Sequence, residues 1–84
     1  MVDETNAMKV RVVLYGMLRE KLAKESSGRI TLEVAQGSSI ADVLEALQIA
    51  QPVLCVLNGA NERDFSHILR VDDEIQFFHP IGGG

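Results

Sequence analysis

The chain closes on Gly82-Gly83-Gly84, directly after a hydrophobic run and a proline, Phe77-Phe78-His79-Pro80-Ile81. The chemistry such an end can do is that of its own carboxylate, carried by Gly84. With a reference pKa of about 3.5 that group is ionised at neutral pH and is a poor electrophile, so it reacts only after a better leaving group has been attached. Glycines suit the task sterically, because without a Cβ they adopt dihedrals closed to other residues and let the backbone enter a narrow channel. Pro80 fixes its own φ and biases His79 toward extended geometry, which confines the flexible arm to the residues beyond it. The competing reading is a solvated, frayed terminus without chemistry.

No other grouping in the sequence offers an active site of its own. Cys55 lies inside an apolar run with no cationic neighbour in sequence to lower its pKa, and reads as an inert buried thiol. His67 and His79 are too few and too far apart for a metal site, so no metal is expected. Asp72-Asp73-Glu74 reads as a turn with a solvated acidic edge rather than a hard-cation site. No Ser/His/Asp grouping stands out and no phosphate-cradling glycine pattern occurs, so no bound cofactor is expected. Apart from that end, the sequence has no evident autonomous active site.

The elements that must position such an end follow from periodicity. Val10, Val12 and Leu14 alternate with Lys9, Arg11 and Val13, the period of a half-buried strand. Gly16 breaks it, Met17 to Leu22 has the composition of a short helix, and Ser26-Ser27-Gly28 is a turn. A second strand alternates Ile30, Leu32 and Val34 against Arg29, Thr31 and Glu33. Ser39-Ile40-Ala41-Asp42 matches a capping box, and Ile40, Val43, Leu44 and Leu47 make one apolar helical stripe that Pro52 is expected to end. Val53 to Leu57 is a third strand, Asn58-Gly59 a strong turn pair, Ala60 to Val71 less regular, and Glu74 to Phe78 the last strand. This order predicts an α+β domain, a mixed sheet on one main helix.

The chain has 84 residues, 46% of them hydrophobic, enough for one small domain with a modest core. Its single cysteine excludes an internal disulfide and fits a reducing compartment. No signal peptide and no apolar run long enough to cross a bilayer is present, so a cytoplasmic protein without membrane association is expected. A net charge of −4 without Lys/Arg clusters argues against nucleic acid.

Together, element order and tail resemble the ubiquitin-like β-grasp superfamily. Within it, the resemblance is to the sulfur carriers, in particular the small subunits of molybdopterin synthases. Leu14-Tyr15-Gly16-Met17-Leu18-Arg19-Glu20 is similar to that family's strand-then-"LREL" opening. Gly37 to Leu44 resembles its helix entry, and Asn58-Gly59 matches the turn after its third strand. Asp73-Glu74-Ile75 with His79-Pro80-Ile81-Gly82-Gly83-Gly84 resembles its closing segment. Asp72 stands where the family usually has glycine, which puts the dihedrals of that turn in question, and His79 replaces a proline. The organisation so implied is a polar extension over 1–8, a β-grasp domain over 9–81 and a glycine tail over 82–84, with Gly83 and Gly84 the working pair and Gly82 a spacer.

What the resemblance implies is a division of labour. A separate ATP-dependent, E1-like enzyme adenylates Gly84, and a sulfur donor (a cysteine desulfurase or rhodanese-like protein) displaces AMP. The resulting thiocarboxylate supplies sulfur to a pyranopterin precursor on the large catalytic subunit, usually in a heterotetramer. Carriers for thiamin, tRNA thiolation or cysteine synthesis belong to the same class, as does a ubiquitin-like modifier conjugated through Gly84. Thiazole carriers are usually shorter and lack the connection around Met17 to Lys24, which favours the molybdopterin branch. The resemblance also sets the first and last strands side by side. Val13, Tyr15 and Phe78 then share an outward face with Leu54 and Val56, or with Cys55, and form a docking patch continuous with His79, Pro80, Ile81 and Gly82. The alternative is that the loop after Asn58-Gly59 folds back over this face.

Overall fold

The computed structural model describes residues 6–22 and 27–80. Five strands form one sheet in the order β2-β1-β5-β3-β4, with β1 Ala7–Leu14, β2 Arg29–Ala35, β3 Leu54–Leu57, β4 Ala60–Asn61 and β5 Glu74–Phe78. β1 and β5 run parallel at the centre, and every other neighbouring pair is antiparallel. One helix, α1 (Ile40–Ala46), packs on one face, and a 3₁₀ helix, Gly16–Lys21, follows β1. This is the α+β mixed sheet on one main helix expected from the order of elements, in the ubiquitin-like β-grasp arrangement that the resemblance implies.

The alternation in the sequence decides which face meets α1. Val10, Val12, Leu14, Ile75 and Phe77 point into the core with Ile40, Val43 and Leu18, all essentially excluded from solvent. Ile30, Leu32 and Val34 of the peripheral β2 join that core while staying half-buried. Asn58 and Gly59 both take positive φ, +50° and +87°, as a two-residue hairpin between β3 and β4 requires. Gly28 is the second position that only glycine fits. Its φ is +80°, and a Cβ there would sit 2.5 Å from the Leu14 carbonyl oxygen.

The α1 N-terminus is capped as expected. The Ser39 hydroxyl accepts from the Asp42 amide at 3.2 Å, and the Asp42 carboxylate accepts from the Ser39 amide at 2.8 Å. The irregular connection after β4 completes this cap: the Ile40 amide donates to the His67 carbonyl at 3.2 Å and the Ala41 amide to the Phe65 carbonyl at 2.8 Å. That loop is thereby tied to the helix side of the sheet, with Leu69 buried beneath it.

Three expectations are corrected. The extension expected over 1–8 stops short of Ala7: Ala7 and Met8 already belong to β1, paired with Ala35 and Val34, because the Met8 side chain completes the core. The helix ends at Ala46, well before Pro52. Gln48 takes φ +59°, its amide donates to Glu45 at 3.0 Å, and the Ile49 amide donates to Leu44 at 2.9 Å, the paired bonds of a Schellman stop. The short helix expected after Gly16 is present, wound as 3₁₀ over Gly16–Lys21. Asp72 keeps the left-handed conformation, φ +66°, so a side chain stands where that turn needs a glycine-like backbone. Asp73 holds this turn: its carboxylate accepts from the Arg70 amide at 2.8 Å and from the Asn58 side-chain amide at 2.9 Å.

Candidate functional site

The parallel register of β1 and β5 builds the site. Leu14 lies beside Phe77, so the next residues in step, Tyr15 and Phe78, fall side by side. The Tyr15 amide extends the ladder by donating to the Phe77 carbonyl at 3.2 Å. Their rings stack with centroids 4.5 Å apart and planes 2° from parallel, a contact that adds to simple area burial. On the other flank β3 sets Leu54 opposite Phe78. Tyr15 is 37% exposed, Leu54 57% and Met17 71%, so the cluster is open to solvent. With Gly16, His79 and Pro80 these residues line a shallow apolar groove of about 590 Å³ at the end of the sheet where the chain leaves β5.

The loop after Asn58-Gly59 does not cover this groove, since its hydrogen bonds hold it against α1 on the opposite face. Of the residues expected in the patch, Tyr15, Phe78, His79 and Pro80 come together with Leu54 of β3, whereas Val56 on the same face is half-buried and outside the groove lining, and Cys55 turns into the core. Val13 does not join them. Although its Cβ points away from the core, Val13 is only 5% exposed, because β1 is a central strand and its neighbours across the ladders are the long side chains of Arg29 and Gln76. An outward-facing residue on a central strand is shaded from both sides, which alternation within its own strand cannot reveal. Met17 is the groove residue that sequence reasoning missed. Its signal was local: Leu18 is the apolar residue of that turn that the core absorbs, which leaves the neighbouring Met17 to solvent.

The titratable groups near the site carry no acid–base arrangement. The His79 ring lies with Nδ1 3.0 Å from the Pro80 carbonyl oxygen, at the root of the tail. Burial, and secondarily the Glu62 carboxylate, pushes the Cys55 thiol up from 9.0 to about 11, which removes its nucleophilic form at neutral pH. Asp64 is held below the usual carboxylate range by hydrogen bonds from the Ser66 hydroxyl and amide. Among the described residues no group of three His, Cys, Asp or Glu side chains could hold a metal ion, and no helix is long and apolar enough to cross a membrane.

A model of the ThiS family matches residues 12–84. The chain belongs to the ThiS family. That family comprises the ThiS/MoaD β-grasp sulfur carriers. No curated protein matches the chain in sequence. Among solved structures, the Haloferax volcanii HVO 2177 protein superposes with a TM-score of 0.78 at 20% identity, over 100% of this chain and 93% of that one. Small archaeal modifier protein 1 of H. volcanii gives 0.71 at 17% identity, covering 88% and 99%. A chain of the Helicobacter pylori complex of subunits 1 and 2 of the molybdopterin-converting factor gives 0.62 at 19% identity, covering 92% and 100%. At these identities the likeness fixes the fold alone.

The family match runs through Gly84, and so includes the segment expected to carry the chemistry. Ile81, Gly82, Gly83 and Gly84 lie outside the described residues. Covalent geometry still bounds their reach: four residues beyond Pro80 span at most about 14 Å. In a ThiS-family carrier the groove and the terminal glycine are therefore close enough for one partner to hold both.

Proposed function

We propose that this ThiS-family chain is the sulfur-carrying small subunit of a molybdopterin synthase, with the Gly84 carboxylate as its only reacting group. In this reading an adenylating enzyme uses ATP to convert the carboxylate to an acyl-adenylate. A sulfur donor then displaces AMP to leave a thiocarboxylate, ionised at neutral pH and nucleophilic at sulfur. The large catalytic subunit takes the sulfur, and hydrolysis returns the carboxylate. Gly83 and Gly84 enter the partner's channel while Tyr15, Leu54, Phe78, His79 and Pro80 dock on its surface.

The observation that carries this reading is an open groove built from a stacked Tyr15–Phe78 pair at the root of a glycine tail. Further support comes from a structural neighbour that is a chain of a complex between molybdopterin-converting factor subunits 1 and 2. Another neighbour is a small archaeal modifier protein, which favours conjugation through Gly84 as the second reading.

Intact-mass measurement of the protein purified from its own cells tests the chemistry. Replacement of one terminal oxygen by sulfur supports the carrier, whereas Gly-Gly remnants on cellular lysines with no sulfur-bearing form favour the modifier. Deletion of the gene tests the pathway: loss of molybdopterin with intact thiamin and tRNA thiolation is expected, and the converse overturns the assignment. A Gly84→Phe variant folds normally and is not adenylated; normal adenylation of that variant removes the basis of the tail mechanism.

A further inference from the structure

The two edges of the sheet are finished differently. The β4 edge is only two residues long, Ala60–Asn61, which leaves little backbone for another chain to pair with. The β2 edge is seven residues, Arg29–Ala35, without proline or lysine. The bonds from the Leu14 amide to the Gly28 carbonyl and from the Gln36 amide to the Asn6 carbonyl, both 2.7 Å, fix the phase of its ladder. Even-numbered residues of β2 bond to β1. The backbone groups of Arg29, Thr31 and Glu33 therefore point outward, and no hydrogen bond from another described residue reaches them.

We propose that β2 pairs antiparallel with β2 of a second copy of this chain, about a two-fold axis at Thr31. The side chains select this register. Centred on Thr31, both Arg29 residues lie directly opposite the partner's Glu33, giving two opposite-charge cross-strand pairs on the outer face. On the inner face Ile30 meets Leu32 of the other copy in the closely spaced, non-hydrogen-bonded positions, which covers apolar side chains that the monomer leaves half-buried. Centring on Glu33 or on Arg29 would set like charges against each other, so the strand complements itself in the Thr31 register.

The product is a continuous ten-stranded sheet. Because opposed residues of an antiparallel pair share a face, both Tyr15–Phe78 grooves look out from the same side, each separated from the new seam by β1 and β2. An interface of one strand per copy is small, so the dimer is weak and dissociates on dilution.

Sedimentation velocity on the full-length protein, in a series reaching millimolar concentration, reads this directly, and amide chemical shifts across the same series map the surface. A concentration-dependent dimer with shifts centred on Arg29 to Glu33 is expected. Glu33→Arg weakens dimerisation about tenfold by turning both attractions into repulsions. The double variant Arg29→Glu with Glu33→Arg restores it, since the reversed pairs again match. Thr31→Pro, which removes an outward amide without touching the β1 ladder, abolishes it. A strict monomer at the highest concentration, shifts confined to the Tyr15–Phe78 groove, or no recovery in the charge-swapped double variant each overturns the proposal. Pairing of β2 with added extended peptides but not with itself also overturns it. None of these outcomes bears on sulfur transfer.

Discussion

Truncating Phe78 to alanine separates docking from folding. Phe78 is half-buried, and its ring lies against Tyr15 at 4.5 Å. Fully buried aromatics cost about 3–5 kcal/mol on truncation, so a ring with one side in solvent costs about 1–2 kcal/mol, including the stacking contribution. At about 0.05–0.15 kcal/mol per residue, a domain of this size has about 4–13 kcal/mol of stability, so the variant stays folded. At the centre of an interface the same truncation costs about 2–4 kcal/mol, or roughly 30- to 1,000-fold in Kd. Titration of the Phe78→Ala variant against the adenylating enzyme and large subunit proposed as its partners, beside urea denaturation of the same sample, gives both quantities. A double-mutant cycle with Tyr15→Ala is expected to return a coupling of about 0.5–1.5 kcal/mol in stability. Unchanged affinity with the expected drop in stability would refute the assignment of the groove as the docking site. So would a loss of affinity no larger than the unfolded fraction explains.

Three further outcomes rest on single residues. Gly28→Ala loses about 2–4 kcal/mol in urea denaturation, because its φ of +80° is strained for a side chain and the new Cβ collides with the Leu14 carbonyl. Gln48→Gly gains about 0.5 kcal/mol, seen as a rise of about 2–4 °C in Tm, by relieving the left-handed residue at the helix stop against the extra freedom it gives the unfolded chain. Cys55 resists alkylation in the native state at mildly alkaline pH. Because the folded chain holds that proton more tightly, its contribution to stability is full below pH 9.0 and is lost as pH rises through about 11. Denaturation midpoints that do not fall over that interval in wild type, relative to Cys55→Ala, count against the buried placement.

Much of this fold could be read locally, and what escaped was set by partners distant in sequence. The capping box at Ser39 and the Asn58-Gly59 hairpin are short-range hydrogen-bond arrangements, so residue types at fixed spacing suffice to identify them. The stacked pair needed one non-local fact, that the first and last strands are neighbours, and the family resemblance supplied it. Val13 needed two, since its burial depends on β2 and β5 flanking it at once. The end of α1 was misjudged because Pro52 is an obvious breaker, whereas Gln48 takes a conformation usually reserved for glycine. Its positive φ is stabilised by the burial of Ile49 and the bonds to Leu44 and Glu45. Asp72 repeats the lesson, being held in a left-handed turn by the bonds of its neighbour Asp73.

The placement of the groove has a consequence for how a carrier of this kind serves more than one partner. Parallel pairing of β1 with β5 brings the end of the first strand and the exit of the last to the same end of the sheet, so the aromatic pair marks the root of the tail. From Pro80 the terminal carboxylate can reach no farther than about 14 Å. Under the proposed function, a partner that acts on Gly84 must bring its own active site within that radius, where the groove offers an apolar surface to hold. The adenylating enzyme and sulfur acceptor of the proposed function would thus compete for Tyr15, Leu54 and Phe78, and the carrier would have to leave one before binding the other. Affinity at the groove is then bounded from above by turnover, which fits a contact that is open and shallow. Competition binding with the two partners, in which saturation by one excludes the other, is the expected result; a stable ternary complex would require a second docking surface.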